Sequence, residues 1–514
     1  MQTVPTAPRC PVCGFPQPAE PKPTFCARPT CGVEFLPAEG DRLPLRTFRL
    51  SEHYSLCVLP FAFTEQERGE VARRLGAAGR WRPRTFSLDN PDDVDRTEYF
   101  LPYIRRFLFP SLFPEERKQE APCQHYELDL ARLGPAERRG LPLTLRCHDS
   151  RKNLGFEYPL FLESAELIVF RYRVGFLVLR FRCADDRATY FDQMNALVYL
   201  RSIAPLYRGF EMAELSAGGK SSFRVPQLLA YLLAEFAPGA PPAAPAEVPA
   251  AAKLPVKPIY DDRMMVYTFS CLDKESCLAA PERCQALLQQ ATVVNFEAEA
   301  AAAPRPESPG EEIAAWLRMR WQGFSKEGGC LVVFNTDRFH ERFLGVYHGT
   351  YYFDIFLLAT LQRVTLLNLF ERLSDIQSLT TGSLRSGRLL RRVRLDLLRF
   401  KNQCWFSQIT NRERGLQLWK KWQEVLETRT LMTEVNEQSG ELDNYLRSRM
   451  RERVEWLVRL GGFLAATVPT VYGLETLFGQ ADWAGYLRWA LIALLIVGTG
   501  IFGWFVLLRR DDEP

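Results

Sequence analysis

The feature that most constrains this chain lies near its end, where Trp489 to Leu508 runs for twenty residues without a charge. A helix of that length spans about 30 Å, the thickness of a bilayer core. Arg509 and Arg510 follow directly. A second apolar stretch precedes it. Leu460 to Leu474 holds fifteen uncharged residues, then Glu475, then Thr476 to Ala481. This stretch contains Thr467, Thr470, Tyr472 and Pro469, polar and irregular features that suit a helix facing a protein neighbour or a wet pore rather than lipid. The expectation is a first transmembrane helix over 459–480 and a second over 486–508.

The flanking charges set the orientation. Arg447, Arg449, Arg451, Arg453 and Arg459 precede the first stretch, and Arg509 and Arg510 follow the second. The turn between them carries Glu475 and Asp482, with Arg488 only at its far edge. Lysine and arginine stay on the cytoplasmic side, so both termini are expected inside. The expected location is the inner (cytoplasmic) membrane, multi-pass. No basic start followed by an apolar stretch opens the chain, so no signal peptide is expected. Thirteen cysteines, most of them scattered, fit a reducing compartment.

The 514 residues leave room for two to four domains at roughly 100–200 residues each. Residues 1–40 read as a zinc-ribbon-like module. Cys10 and Cys13 form a CxxC knuckle, and Cys26 and Cys31 a looser second pair. Four thiolates at such spacing make a tetrahedral site, and the metal would supply folding energy that so short and proline-rich a segment lacks. Zn²⁺ is therefore expected there as a structural ion.

Residues 45–345 read as a cytosolic α/β domain. Glu166 to Cys183 reads as a hairpin with its turn near Val174 and Gly175, because β-branched and aromatic residues fill both arms. Tyr190 to Tyr207 and Phe223 to Phe236 read as helices, and Met264 to Phe269 and Cys330 to Phe334 as strands of the same sheet. Pro/Ala-rich linkers are expected near 238–258 and 298–310. Residues 346–458 read as a helical stalk: Phe353 to Leu379, Leu384 to Gln408, and a third helix from Arg412 running with little break into the first span. Gly415 and Gly440 are its visible weak points. Arg385 to Lys401 carries seven basic residues and one acid, read as a solvated face ahead of an anion or inner-leaflet contact. The fold class is thus an α/β cytosolic domain, a long α-helical stalk and two transmembrane helices, behind a small N-terminal Cys₄ module.

No catalytic signature stands out. Gly218-Gly-Lys-Ser-Ser222 has the tail of a phosphate-binding loop, but Glu214 sits where that loop needs a glycine, so a glycine-rich turn is the better reading. His340-Glu341 lacks a second zinc-protease histidine. Cys271, Cys277 and Cys284 are irregularly spaced and read as structural. A net charge of +4 over the whole chain gives no argument for nucleic acid. No enzyme is expected.

An α/β head, long helices feeding a polar first span, a short outer turn, a second span and a basic tail, in that order, resemble the CorA family of magnesium transporters. That family ends its first span in Tyr-Gly-Met-Asn, and the matching place here reads Tyr472-Gly473-Leu474-Glu475. Phe406-Ser-Gln-Ile-Thr-Asn411 before a long helix is similar to distant members as well. The resemblance covers about residues 160–510, and the cysteine module is not part of the family plan. It implies a homopentamer whose first spans line a pore, with Mg²⁺ or another divalent cation as the transported or regulatory ion. Glu475 in place of asparagine implies five carboxylates at the mouth, which attract cations by charge, so cation preference carries over and magnesium selectivity does not. Stepping inward along the helix, the resemblance implies a pore lining of Thr470 or Val471, then Thr467 and Phe463, then Arg459, Glu455 and Glu452, with Arg459 either on the axis or facing a neighbour's Glu455.

A second expectation differs in class. Zinc ribbons dock protein or nucleic acid, and with the large head and the missing asparagine this points to a membrane effector, triggered by a ligand or partner in stress or antiviral defence. A membrane-tethered scaffold without a pore is the residual reading.

Overall fold

The computed structural model describes residues 48–478 apart from 64–70, 77–79, 114–120, 134–135, 150–153, 206–211, 218–220, 238–253, 274–319, 335–338, 340–342 and 379–383. The four cysteines of the expected zinc module, the second expected span at 486–508, the 298–310 linker and most of the 238–258 linker lie outside the described residues.

The chain divides into two compact units, one comprising residues up to 368 with 400–431, the other 369–399 with the chain from 432 onward. The first is built on a twelve-stranded sheet. Its strands are β1 (Leu50–Ala62), β2 (Trp81–Pro83), β3 (Cys123–Leu128), β4 (Leu141–Asp149), β5 (Leu154–Phe170), β6 (Val174–Cys183), β7 (Glu214–Ala217), β8 (Ser221–Arg224), β9 (Lys257–Pro258), β10 (Met265–Leu272), β11 (Arg320–Ser325) and β12 (Gly328–Phe334). The main path runs β11-β12-β10-β1-β6-β5-β4-β7-β8, with β3 branching from β5 and β2 from β3. All pairings are antiparallel except β10 with β12. The strands expected around 264–269 and 330–334 join this one sheet.

The central strands are buried on both faces, and for that reason they read as continuous apolar runs rather than alternating ones. Along β1, Cys57, Leu59 and Phe61 enter one large cluster together with Leu177, Leu179 and Phe181 of β6. Helix α3 (Tyr190–Leu200) adds Met194 and Leu197 to that cluster, and α4 (Val225–Leu232) adds Leu228 and Leu229. Residues between these point the other way, where Tyr267 of β10 stacks on Phe356 at 5.0 Å and on His348 at 4.1 Å.

The β5–β6 hairpin forms as expected, with one correction. Its turn is Arg171-Tyr172-Arg173, not Val174-Gly175, which pair with Phe170 and Val169. Arg173 takes φ 64°, the left-handed residue that closes a three-residue hairpin loop. Gly175 signals packing instead of a turn: a Cβ there would come within 2.3 Å of the Phe61 ring on the neighbouring strand. Between Leu162 and Ser164 the β5 register shifts. The bulged Glu163 accepts from Arg180 at 2.7 Å and Arg182 at 2.5 Å. A bulge re-aims one side chain, and here it sets a carboxylate between two guanidinium groups.

The segment flanking Gly218–Ser222 is a hairpin, Ala217 pairing with Ser221, so the phosphate-loop geometry of strand, loop and helix is not the one adopted. The expected helix over 190–207 ends at Leu200. The one over 223–236 gives up Phe223 to β8 and begins at Val225, with Pro226 in its first turn.

Beyond the sheet come α5 (Leu344–Tyr347), a π-helical turn over His348–Tyr352, α6 (Phe353–Ser378), α7 (Leu384–Gln403), α8 (Glu413–Val425) and α9 (Thr428–Phe478). Among the described residues one helix, Leu344–Ile376, passes as long and apolar enough, by length and composition, to cross a membrane; the expected first span over 459–480, described as far as Phe478 within α9, is not singled out by that measure. The most apolar window of Leu344–Ile376 is 78% buried inside the protein, the position of a core helix. Leu390, Val393, Leu397 and Phe400 of α7 are buried at three- and four-residue spacing, and Arg388, Arg391, Arg392 and Arg399 lie exposed or half-exposed between them, the amphipathic face expected of this basic segment.

The expected third helix is two helices. The break falls at neither Gly415 nor Gly440 but at Leu426–Glu427, where Glu427 adopts φ 51°. Lys326 Nζ meets its carboxylate at 2.7 Å, and Arg363 donates to the Leu426 carbonyl at 2.6 Å. These tertiary contacts override the helix propensity of glutamate.

Candidate functional site

A cleft of about 1030 Å³ opens in the first unit beside the β2–β3 branch. Its walls come from three stretches far apart in sequence. The first wall continues β2 through Arg84, Thr85 and Phe86. The second comprises α2 (Pro102–Leu108) and the 3₁₀ turn Pro110–Leu112, with Tyr103, Arg106, Phe107 and Phe113. The third is the end of α7 and the loop after it, with Asn402, Gln403, Trp405, Phe406 and Ser407. Cys123, His125 and Tyr126 of β3 also line it.

Local sequence explains how each wall is held. Pro91 opens α1 (Pro91–Glu98) behind an Asn90 cap that accepts from the Asp92 amide. The α1 side chain Arg96 makes a two-pronged pair with Asp354, at 2.6 and 2.5 Å, in a fully buried setting. Leu101 N–H donates to the Ile409 carbonyl at 2.9 Å, and Thr410 Oγ1 to the Tyr99 carbonyl at 2.5 Å. Tyr103 Oη donates to the Gln408 carbonyl. Phe406 meets the edge of Phe107 at 5.3 Å, and Tyr172 donates to Gln403 at 3.2 Å. The loop after α7 is thereby fixed to α2, and its two aromatic rings are presented half-buried.

The described lining carries three arginines, Arg84, Arg106 and Arg171, and neither aspartate nor glutamate. Arg84 is engaged by Glu166 at 3.2 Å and lies 4.9 Å over the Phe86 ring. Exposed Arg106 lies 5.9 Å over Phe113. Burial and the Arg96 charge lower the His125 pKa from 6.5 to about 4, so its imidazole is neutral at ordinary pH. Its Nε2 sits 2.9 Å from the Leu108 carbonyl, which only accepts, so Nε2 carries the proton. Nδ1 is then a lone-pair acceptor without a hydrogen-bond partner. Burial pushes the Cys123 thiol well above its ordinary value, which removes the thiolate a nucleophile needs. The described lining thus combines guanidinium groups with half-buried aromatic rings.

The residues expected from sequence to form a pore lie elsewhere. Phe463, Thr467, Thr470, Tyr472, Gly473, Leu474 and Glu475 all fall on the backbone of α9. Arg459 meets Glu455 of its own helix at 3.9 Å, both exposed. Among the described residues no group of three or more His, Cys, Asp or Glu is placed to hold a metal ion. Of the cleft residues, sequence reading singled out only the run beginning at Phe406. The others are scattered single aromatics and arginines over some three hundred positions, and only the fold collects them.

No family model, no curated protein and no solved structure matches this chain.

Proposed function

We propose that the chain is a CorA-like oligomeric membrane cation channel or transporter, with the sheet-based unit as its cytosolic regulatory domain. The observation that carries this reading is α9. Thr428–Phe478 is one unbroken helix of 51 residues, about 75 Å long. It takes the arginine-rich segment 447–459 straight into the apolar stretch bearing Tyr472-Gly473-Leu474-Glu475. A stalk continuous with a pore-lining span lets a movement in the head reach the membrane. Five copies would place Glu475 as a carboxylate ring at the outer mouth and Thr470, Thr467 and Phe463 below it. The second span, 486–508, would face lipid, and Cys10, Cys13, Cys26 and Cys31 would hold a structural Zn²⁺.

Reporter fusions test the topology. A fluorescent protein after Pro514 should fold and glow in the cytoplasm, and alkaline phosphatase fused after Asp482 should be active outside. Alkaline phosphatase inactive at Asp482 would sink the two-span reading.

A second reading, a membrane effector triggered by a ligand in stress or antiviral defence, is favoured by the arginine- and aromatic-lined cleft. A conducting pore that opens only when the cleft is filled separates it from constitutive transport.

A further inference from the structure

We propose that the outer faces of α7 and α9 are the two halves of one contact between copies of this chain. The arginine-and-leucine face of α7 in one copy lies against the glutamate face of α9 in the next. This names the subunit contact for the oligomeric reading above and rests on that reading, but not on whether α9 crosses a membrane.

Helical spacing builds the α7 half. Leu390, Val393 and Leu397 turn inward and are buried. On the opposite side Arg388, Arg391, Arg392, Leu395, Leu398 and Arg399 recur every three or four residues, and all are exposed. Leu395 is 45% exposed and Leu398 55%, two large apolar side chains that neighbour each other among the arginines. Asp396, the one acid of the helix, is engaged by Arg372 at 2.9 Å and reaches Arg399 at 3.9 Å. Arg388, Arg391 and Arg392 have no ion-pair partner among the described residues.

The α9 half has the opposite sign. Residues 430–446 hold four acids and no base. Met432, Val435 and Ser439 are buried, while Glu434, Glu437 and Glu441 stand exposed on the other side, followed by Tyr445 at 39%. These three glutamates have no ion-pair partner among the described residues. The fourth acid, Asp443, meets Arg394 of α7 at 2.5 Å.

Within the second unit the two helices thus already meet arginine to carboxylate, and each keeps an outer face whose charges are unanswered. A second copy answers both at once, because each copy carries one face of each sign. Both faces lie within about 15 Å of the Arg394–Asp443 pair along their helices. Copies turned about an axis along α9 therefore bring them to overlapping heights. A contact between two different faces is heterologous, the kind that closes into a ring.

An anionic membrane surface is the competing partner for α7. Asp443 precedes the expected span at 459 by about 24 Å of helix, which holds Leu395 and Leu398 away from lipid headgroups. Lipid would also leave the glutamates unanswered.

The test uses the full chain in detergent micelles, with the photocross-linking residue p-benzoylphenylalanine placed at position 398 and, separately, at 395. The same residue at position 88, where Leu88 is 66% exposed on the first unit, is the control. Covalent dimers are cut from a denaturing gel, digested and mapped by mass spectrometry. The proposal expects a dimer from both α7 positions with the bridge in residues 434–445, and no bridge to that stretch from position 88. Arg391→Glu with Arg392→Glu should lower the dimer yield about tenfold or more, as should Glu437→Arg with Glu441→Arg, since like charges then face each other. The chain carrying all four changes should regain it. All four positions are exposed, and thermal unfolding confirms that each variant stays folded. Arg392→Glu and Glu437→Arg alone serve where a pair does not.

No dimer from either α7 position overturns the proposal. So do bridges that fall outside 434–445 or stay inside one chain, and a yield unchanged by the charge reversals in folded protein. Light scattering measures the particle's mass beside these. An oligomer without the cross-link rejects this contact alone, and a monomer rejects the oligomeric reading with it.

Discussion

Replacing Asp354 by alanine should remove a large share of the stability of the sheet-based unit. The Arg96 and Asp354 side chains are 7% and 1% exposed, and their two hydrogen bonds join α1 to the first turn of α6 across 258 residues. Around Arg96 stand the rings of Phe86 and Phe109, at 5.5 and 5.6 Å, while Glu166 and Asp93 act on it through space without a hydrogen bond. Removing one member of a buried pair leaves the other as an unpaired charge and costs about 3–5 kcal/mol. Domains are stable by roughly 5–15 kcal/mol, so the variant should stand near the edge of folding. Urea unfolding, followed by the fluorescence of buried Trp81, Trp419 and Trp422, measures the difference. A double change, Arg96→Met with Asp354→Leu, should recover most of the loss, because apolar side chains of similar volume substitute well for a buried pair. An unfolding free energy for Asp354→Ala within about 0.5 kcal/mol of the parent would refute the claim that the charge of Arg96 is held there at the expense of its solvation.

Three further outcomes are expected. Burial holds His53, His125 and His348 at pKa values of about 3, 4 and 3, below 6.5, so the unfolded chain binds their protons first as pH falls. Stability should then be full above pH 6.5 and decline through pH 6 to 4, each histidine contributing about 1.4 kcal/mol per pH unit; urea midpoints that stay level between pH 7 and 5 would contradict this. Gly328→Ala should destabilise by more than about 2 kcal/mol, since φ is 140° and a Cβ would come 1.8 Å from the Val266 carbonyl oxygen; calorimetry reads it as a lowered Tm. Purified protein should carry one zinc per chain by elemental analysis, and Cys10→Ser with Cys13→Ser should abolish it; equal zinc in both would reject the four-cysteine site.

The parts of the fold legible in the sequence are those with a local cause. The β5–β6 arms announce themselves through β-branched and aromatic runs, and α6 through sustained apolar periodicity. Where sequence reading slipped, a distant contact decided the outcome. Gly175 looks like a turn until Phe61 of another strand is seen to need its missing side chain. Glu427 looks helical until Lys326 draws it into a left-handed turn. The twelve strands could not be ordered from the chain alone, because β10 and β12 pair in parallel across a long intervening segment. The cleft was invisible for the same reason. Arg84, Arg106, Arg171 and Phe406 share no motif and meet only after β3 has paired with β5 and the loop after α7 has docked on α2.

The most direct test of the central claim is cation flux into liposomes carrying the purified protein, with Glu475→Ala beside the parent. Several divalent and monovalent cations are offered, with internal magnesium present and absent. The account predicts flux in the parent chain, preferring cations over anions and sharply reduced by Glu475→Ala. No flux under any of these conditions would contradict the channel reading, and flux indifferent to Glu475→Ala would contradict the placement of its mouth.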